Sequence, residues 1–262
     1  ALARGDEKSG QRLIGTCDLV IHWTLGIGLW TFGCCFAVGG CSCNSATAED
    51  RVVRQQEART GGRIIITGTI EEYTGVELRI RRILNNTLAV IPANEIVEVQ
   101  TEQSEVHTQG ERSLADGKIP AAVEQFQQAL SRERRRWVRR EILALLVQSE
   151  LRRGAYSAAA GHFVSLYESD PTTRHFPLIP LAWGTQTVGS SAKSDAQEWL
   201  KDKSEAAQLI GASLLLTDPA ERERSLIVLK GLSSNADRRI KDLAQSQVWR
   251  TQVGTNAVTV AI

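Results

Sequence analysis

The pattern of apolar and polar residues divides the chain into an apolar leader, a short run of strands and a long series of helices. Residues 19–48 contain no Asp, Glu, Lys or Arg, so this stretch has no polar face. Between residues 63 and 103 the residues alternate or cluster in β-branched runs, which is typical of strands. From residue 109 the apolar spacing becomes helical. The sequence therefore predicts a mainly α protein with a small β module before its helices.

These changes in pattern predict seven segments. They are a signal or anchor segment (1–48), a connector (49–62), a small β barrel or sheet module (63–104), helix pairs (105–171), an extended Pro-containing linker (172–192), a helical region (193–251) and a tail (252–262). We expect the connector to be helical and the tail to be β-prone or frayed. Pro177 and Pro180 forbid a regular helix in the linker, so we expect it to lie along the helices and cover their core. An exposed docking strip is the alternative.

The β module is predicted from short strands separated by turn residues. The expected strands are residues 63–70, 76–80, 88–91 and 96–99. Four or five short strands within about forty residues are typical of a small, strongly bent sheet or barrel, of SH3-like or Sm-like type. Its one aromatic residue, Tyr73, is no platform for base stacking. A structural or adaptor role is therefore expected, with RNA or peptide binding as the alternative.

Two helical units repeat the same residues 37 positions apart, since Gly117 matches Gly154. The residues that define the units are Gly117, Ala122, Phe126, Ala129, Gly154, Tyr156, Ala159, Phe163 and Pro171. Glycine permits a tight turn, small alanines let two helices approach closely, and the phenylalanines fill the space between them. The pattern predicts two helix-turn-helix units.

At these residues the chain resembles the tetratricopeptide repeat, and the resemblance implies a helical array that binds a protein in its groove. The first unit departs from the family at Arg134, where a proline is expected, and the period is longer than the usual 34 or so residues. Four further helices are predicted near residues 194, 205–216, 220–232 and 237–249, and they resemble HEAT-type repeats. The order of segments also resembles uncharacterised tetratricopeptide-like proteins of planctomycete bacteria, which implies an envelope location and no particular activity.

Between the helix pairs, six arginines within nine residues surround one tryptophan. These residues are Arg132, Arg134, Arg135, Arg136, Trp137, Arg139 and Arg140. One interpretation is a contact for nucleic acid, phospholipid headgroups or an acidic peptide, with Trp137 stacking. The other is a solvated helix start whose arginines pair with neighbouring glutamates while Trp137 packs inward. Arginines at a helix start oppose the helix dipole, which hints at a gain elsewhere.

The leader predicts export and a tether to the cell envelope. Cleavage after Ala48, lipidation of Cys41 in a lipobox-like sequence, and retention as a membrane anchor all stay open. A buried core helix is the alternative, and the leader's glycines oppose it. The chain contains no Met, so we expect the true start to lie before Ala1. The predicted location is periplasmic or membrane-anchored at a bacterial envelope.

Composition and candidate chemistry narrow the function further. The formal net charge of +1 provides no global attraction for nucleic acid or anionic membranes. All five cysteines lie within the first 43 residues and no His/Cys pair recurs at ligand spacing, so neither metal nor cofactor is expected. The histidines belong to no catalytic motif; His107 is expected in a polar connector and His162 half-exposed on a helix.

We therefore predict a non-catalytic scaffold or adaptor that binds a protein partner in a groove around residues 111–170. Membrane contact is expected through the leader or a lipid on Cys41. The alternative is a nucleic-acid or anionic-lipid binding module that uses the β module and residues 132–140, although nucleic acid is not the expected partner.

Overall fold

The computed structural model describes residues 49–55, 62–184 and 189–259, with the side chains of residue 190 and of those beyond 251 excepted. The predicted leader, including Cys41 and the cleavage site after Ala48, lies outside the described residues. Within the ranges given above, no helix is both long enough and apolar enough to cross a bilayer.

The β module is a five-stranded antiparallel sheet with the strand order β4-β3-β2-β1-β5. Its strands are β1 Asp50–Gln55, β2 Arg63–Tyr73, β3 Glu77–Arg82, β4 Leu88–Pro92 and β5 Ile96–Gln100. The first half of β2 pairs with β1 and its second half pairs with β3, so Gly68 lies opposite both Asp50 and Arg82. An added Cβ at Gly68 would lie 2.2 Å from the carbonyl oxygen of Arg81, so only glycine permits this approach. A short 3₁₀ turn, Ala93–Glu95, joins β4 to β5.

The expected helical connector is wrong, because residues 50–55 form strand β1, which lies between β2 and β5 in the sheet. Val52 lies opposite Ile66 and Val99 and is fully buried. Polar residues on either side of the two valines give the segment a helix-like composition. Pairing with β2 on one side and β5 on the other overrides this local preference, since strand formation depends on neighbouring strands. The β module therefore begins at Asp50.

The next four helices form two hairpins with matching turns. They are α1 Glu105–Ala115, α2 Ile119–Arg132, α3 Arg136–Arg152 and α4 Tyr156–Ser169. Gly117 and Gly154 have φ angles of +74° and +76°, a conformation that disfavours residues with a Cβ. In both turns the glycine N–H and the next N–H donate back to α1 or α3, at 3.2 and 2.8 Å in the first turn and 3.1 and 2.9 Å in the second. This is the Schellman pattern, which satisfies the last carbonyl groups of a helix.

Four more helices follow the linker, as the sequence predicts. They are α5 Ser190–Trp199, α6 Glu205–Leu215, α7 Arg222–Leu232 and α8 Arg238–Thr259. The expectation of a β-prone or frayed tail is wrong as far as residue 259, because α8 continues through it. Extending a helix adds one hydrogen bond per residue, whereas a tail strand would need a free partner strand. The described residues thus contain eight α-helices and one five-stranded sheet, which confirms a mainly α chain.

Apolar side chains form two cores. The first lies between the inner face of the sheet and helices α1 to α3, and the second joins α3 and α4 to the last four helices. Phe176 and Leu181 of the Pro-containing linker are each 5% exposed and belong to the second core. The linker therefore packs along the helices, with a 3₁₀ turn at Phe176–Leu178. The described residues all belong to one compact unit, which contains both cores.

Candidate functional site

A cleft of about 380 Å³ lies where α1 and α3 face the sheet and the start of the linker. We refer to it as the cleft. Its polar and aromatic lining consists of Tyr73, Thr101, Gln103, His107, Glu111, Trp137, Glu141, Gln148, Arg174 and His175. It falls partly on the groove expected around residues 111–170, and the sheet and linker contribute the rest.

His107 lies on α1, not in the polar connector expected from the sequence. Ser104 caps this helix, because its Oγ accepts from the His107 N–H at 3.3 Å. The imidazole is 2% exposed and meets the ring of Phe126 edge-on, with centroids 6.1 Å apart. Burial lowers the pKa of His107, so the ring is neutral at pH 7. Its Nε2 is 3.5 Å from Glu111 Oε1, too long for a useful hydrogen bond, and has no hydrogen-bond partner among the described residues.

Trp137 is the second group in the cleft that has an unpaired polar atom. Its side chain is 3% exposed and packs at a tilt against Tyr73, with ring centroids 6.5 Å apart. The indole Nε1 is buried and finds no acceptor in the described part of the chain. An indole N–H can only donate, and leaving such a group unpaired costs roughly 1–3 kcal/mol. The cleft is therefore lined by two residues whose hydrogen-bonding capacity is unused.

An ion cluster borders the cleft and joins α3 to the sheet and the linker. Arg174 donates to Glu141 Oε2 at 2.5 Å and to the Tyr73 hydroxyl at 2.9 Å, and its guanidinium lies 4.6 Å from the centre of the Tyr73 ring. His175 Nε2 is 3.1 Å from both carboxylate oxygens of Glu141. Burial by itself raises the pKa of Glu141, but the His175 hydrogen bond and the electrostatic effects of His175 and Arg174 outweigh it, so this pKa is lowered. Glu141 is a stable anion and a poor proton acceptor.

The residues that define the two units lie where helices meet. Ala122, Phe126, Ala159 and Phe163 have no exposed surface, and Ala129 is 2% exposed. Tyr156 is half-buried beside the second core, and Pro171 is exposed just after α4. These placements pack α2 against both α1 and α3, which brings the cleft side chains of α1 and α3 to one site.

Gly110 is a further positioning residue that the sequence analysis missed. It lies within α1, and a Cβ added there would come within 2.7 Å of the Phe126 ring. Its absence of a side chain lets α1 approach α2 closely, one turn from His107. A glycine inside a predicted helix is the signal that could have identified it, because such a glycine lowers helix stability unless packing requires it.

Three of the six clustered arginines bind other parts of the protein. Arg135 donates to Thr101 Oγ1 and the Glu102 carbonyl, both at 2.8 Å, and also to Glu133. Arg140 is 3% exposed; it pairs with Glu72 and donates to the Tyr73 carbonyl at 2.8 Å. These bonds attach the start of α3 to the sheet.

Arg139 explains how an arginine-rich helix start is tolerated. Its guanidinium donates to the Leu130 carbonyl at 2.6 Å and to the Glu133 carbonyl at 3.0 Å. It therefore satisfies carbonyl groups at the negative end of α2. Arg132, Arg134 and Arg136 are exposed, whereas Trp137 is buried and cannot stack on a base.

The described residues contain no group of three or more His, Cys, Asp and Glu side chains placed to hold a metal ion. The chain matches no protein-family model, no curated protein and no solved structure, so its function is inferred from the cleft itself.

Proposed function

We propose that this protein is a non-catalytic scaffold whose tetratricopeptide-like helices bind an extended segment of a protein partner in the cleft. The observation that carries the proposal is that two residues lining the cleft, His107 and Trp137, each have a buried polar atom without a partner among the described residues, Nε2 and Nε1 respectively. Buried polar groups normally have partners, so a ligand that pairs both is favoured.

A peptide backbone supplies the hydrogen-bond donors and acceptors that His107 and Trp137 do not find among the described residues. A backbone carbonyl accepts from the indole N–H of Trp137, and neutral His107 can bond with either a backbone N–H or a carbonyl. Glu111, Glu141 and Arg174 place both signs of charge in the cleft. Recognition through the backbone therefore suits the site better than selection of a strongly charged ligand. The lowered pKa of Glu141 supports binding over proton transfer.

The finer fold assignment is part of the same proposal. The matched positive-φ turns and buried Ala and Phe residues support a tetratricopeptide-like arrangement of α1 to α4. Long β2, which changes partner at Gly68, supports an SH3-like or Sm-like sheet. Consecutive short helices from α5 onward support HEAT-like packing. We also propose the envelope location, periplasmic or membrane-anchored, on the sequence of the leader.

The proposal is tested by selecting a displayed peptide library on the full chain and titrating the selected peptides. Trp137→Phe keeps an aromatic ring and removes the N–H, so we expect about fivefold weaker binding from the loss of one hydrogen bond. Trp199→Phe is the matched control, because Trp199 packs beside the second core, away from the cleft. Equal binding by the wild type and Trp137→Phe, or a failure to select any peptide, contradicts the proposal.

Anion binding is a second candidate, supported by the exposure of Arg132, Arg134 and Arg136 at the corner between α2 and α3. It predicts that replacing all three with Gln abolishes binding to nucleic acid or anionic lipid, and that wild-type binding weakens steeply as salt is added. Unchanged binding by the triple variant would eliminate this candidate.

A further inference from the structure

The β3–β4 hairpin exposes aliphatic side chains at its tip and along one face. Leu84 is 97% exposed and Ile83 is 51% exposed, while Leu88 and Val90 on β4 are about half exposed. Single apolar residues on a surface are ordinary, but a contiguous group marks a place of interaction. We call these four residues the aliphatic patch.

Arginines accompany the aliphatic patch, and acidic residues are absent from the same stretch of chain. Residues 78–94 include Arg79, Arg81 and Arg82 and contain neither Asp nor Glu. Arg81 lies opposite Leu88 and Arg79 opposite Val90 in the β3–β4 pairing, so these side chains share the outer face of the sheet. The nearest acids come from outside the stretch: Glu77 pairs with Arg79 and Glu71 with Arg81, in exposed pairs of the kind that contribute little.

The hairpin also lies close to the start of β1. Asp50, the first residue of β1, and Arg82, the last residue of β3, lie on opposite sides of Gly68 in register. Two strand spacings separate them, about 10 Å. Leu84, two residues beyond Arg82, therefore lies near the start of β1.

We propose that the β3–β4 hairpin docks on an anionic phospholipid bilayer, with Ile83 and Leu84 entering the interface and the three arginines contacting headgroup phosphates. Aliphatic groups with guanidinium neighbours suit this surface, since apolar burial and attraction to anionic lipid act together there. The hairpin has no aromatic side chain for stacking on bases. Pairing of β4 with a second copy would bring together two stretches, residues 78–94 of each copy, that carry three arginines and no acid. The proposal rests on the proposed envelope location but not on the cleft.

The test measures amide hydrogen exchange of residues 83–88 in the full chain, with phosphatidylcholine vesicles that contain or lack about 30% phosphatidylglycerol. We expect exchange to slow several-fold with the anionic vesicles only, and to recover as salt is raised. Arg82→Gln should reduce the docked population about fivefold.

The combined change Ile83→Asn and Leu84→Asn should remove the protection. Ile227→Asn is the matched control, because Ile227 is 65% exposed on α7, outside the hairpin, and its loss should leave the protection intact. Unchanged exchange in helices α1 to α4 verifies that each variant is folded.

Two results would overturn the proposal. One is hairpin exchange that is the same with and without anionic vesicles. The other is protection without vesicles that grows with protein concentration, which would assign the hairpin to a second copy of the chain. Trp137→Phe should leave hairpin protection unaltered, so failure of the peptide-binding proposal and failure of the lipid proposal are distinguishable.

Discussion

Arg140→Met tests whether the buried arginine of α3 joins the sheet to the helices. Met preserves an unbranched apolar side chain and removes the guanidinium. In the wild type that guanidinium is 3% exposed, pairs with Glu72, and donates to the Tyr73 carbonyl at 2.8 Å and to Ser169 Oγ at 3.3 Å. The substitution leaves the Tyr73 carbonyl without this buried donor.

The expected loss follows from the groups that remain. An unpaired buried carbonyl costs roughly 1–3 kcal/mol, and removing one partner of a fully buried ion pair costs about 3–5 kcal/mol. The Glu72 side chain is 28% exposed and regains water, so the ion-pair contribution lies well below that range. We therefore expect the free energy of unfolding to fall by about 2–4 kcal/mol.

Urea unfolding of the full chain, followed by circular dichroism, measures this change. With a slope of roughly 1–3 kcal/mol per molar urea, the midpoint should fall by about 0.7 M or more. Arg136→Met is the matched control, since Arg136 is exposed on the same helix, and should stay within about 0.5 kcal/mol. A loss below about 0.5 kcal/mol for Arg140→Met would refute the reasoning, because the arginine would then contribute no more than a surface residue.

Three other predictions concern backbone conformation, close packing and pH. Gly154→Ala should lower the free energy of unfolding by about 1–2 kcal/mol, because Gly154 has a φ of +76°. Gly161→Ala should raise it by up to about 1 kcal/mol, because a Cβ added there, within α4, would meet open space. Urea midpoints that shifted in the same direction in both variants would contradict this. Gly110→Ala should lower the free energy of unfolding by about 1–3 kcal/mol, measured by the same urea unfolding. An unchanged free energy of unfolding would mean that the Phe126 ring moves aside freely. Because burial lowers the pKa of His107, the unfolded chain takes up a proton before the folded chain does as pH falls through about 6.5. The free energy of unfolding should therefore decrease from pH 7 to pH 5, and it should decrease less in His107→Phe. An equal dependence of the free energy of unfolding on pH in the two proteins would contradict the lowered pKa.

Local signals explain the parts of the fold that the sequence predicts. Helix α6 begins after Ser204, whose Oγ accepts from the Ala207 N–H at 3.4 Å, and its apolar residues recur at helical spacing. The glycine turns at Gly117 and Gly154 require a backbone conformation that few other residues adopt. These features lie within a few residues of one another and need no tertiary information.

The parts that sequence reasoning missed depend on distant residues. Strand β1 exists because Val53 pairs with Ile65 and Glu98, which no local pattern around residue 53 reveals. The cleft likewise joins His107, Trp137 and the linker start, which come together only because α2 packs against both α1 and α3. From the sequence, Arg140 belongs to a cluster of arginines on the surface. Only the structure shows that it donates to the Tyr73 carbonyl on β2.

The sheet and helices α1 to α3 share the first core. The predicted domain boundary at residue 104 therefore separates strands from helices, but it does not separate two independent cores. Stacked helical arrays need a cap that covers the apolar side of their first unit, and in the proposed repeat arrangement the sheet would serve as that cap. The sheet thus covers the apolar side of α1 to α3 that faces it. At the other end, Trp249 on α8 is 56% exposed and Ile227 on α7 is 65% exposed. In the proposed repeat arrangement, further helices would therefore pack on α7 and α8 and not across the strands.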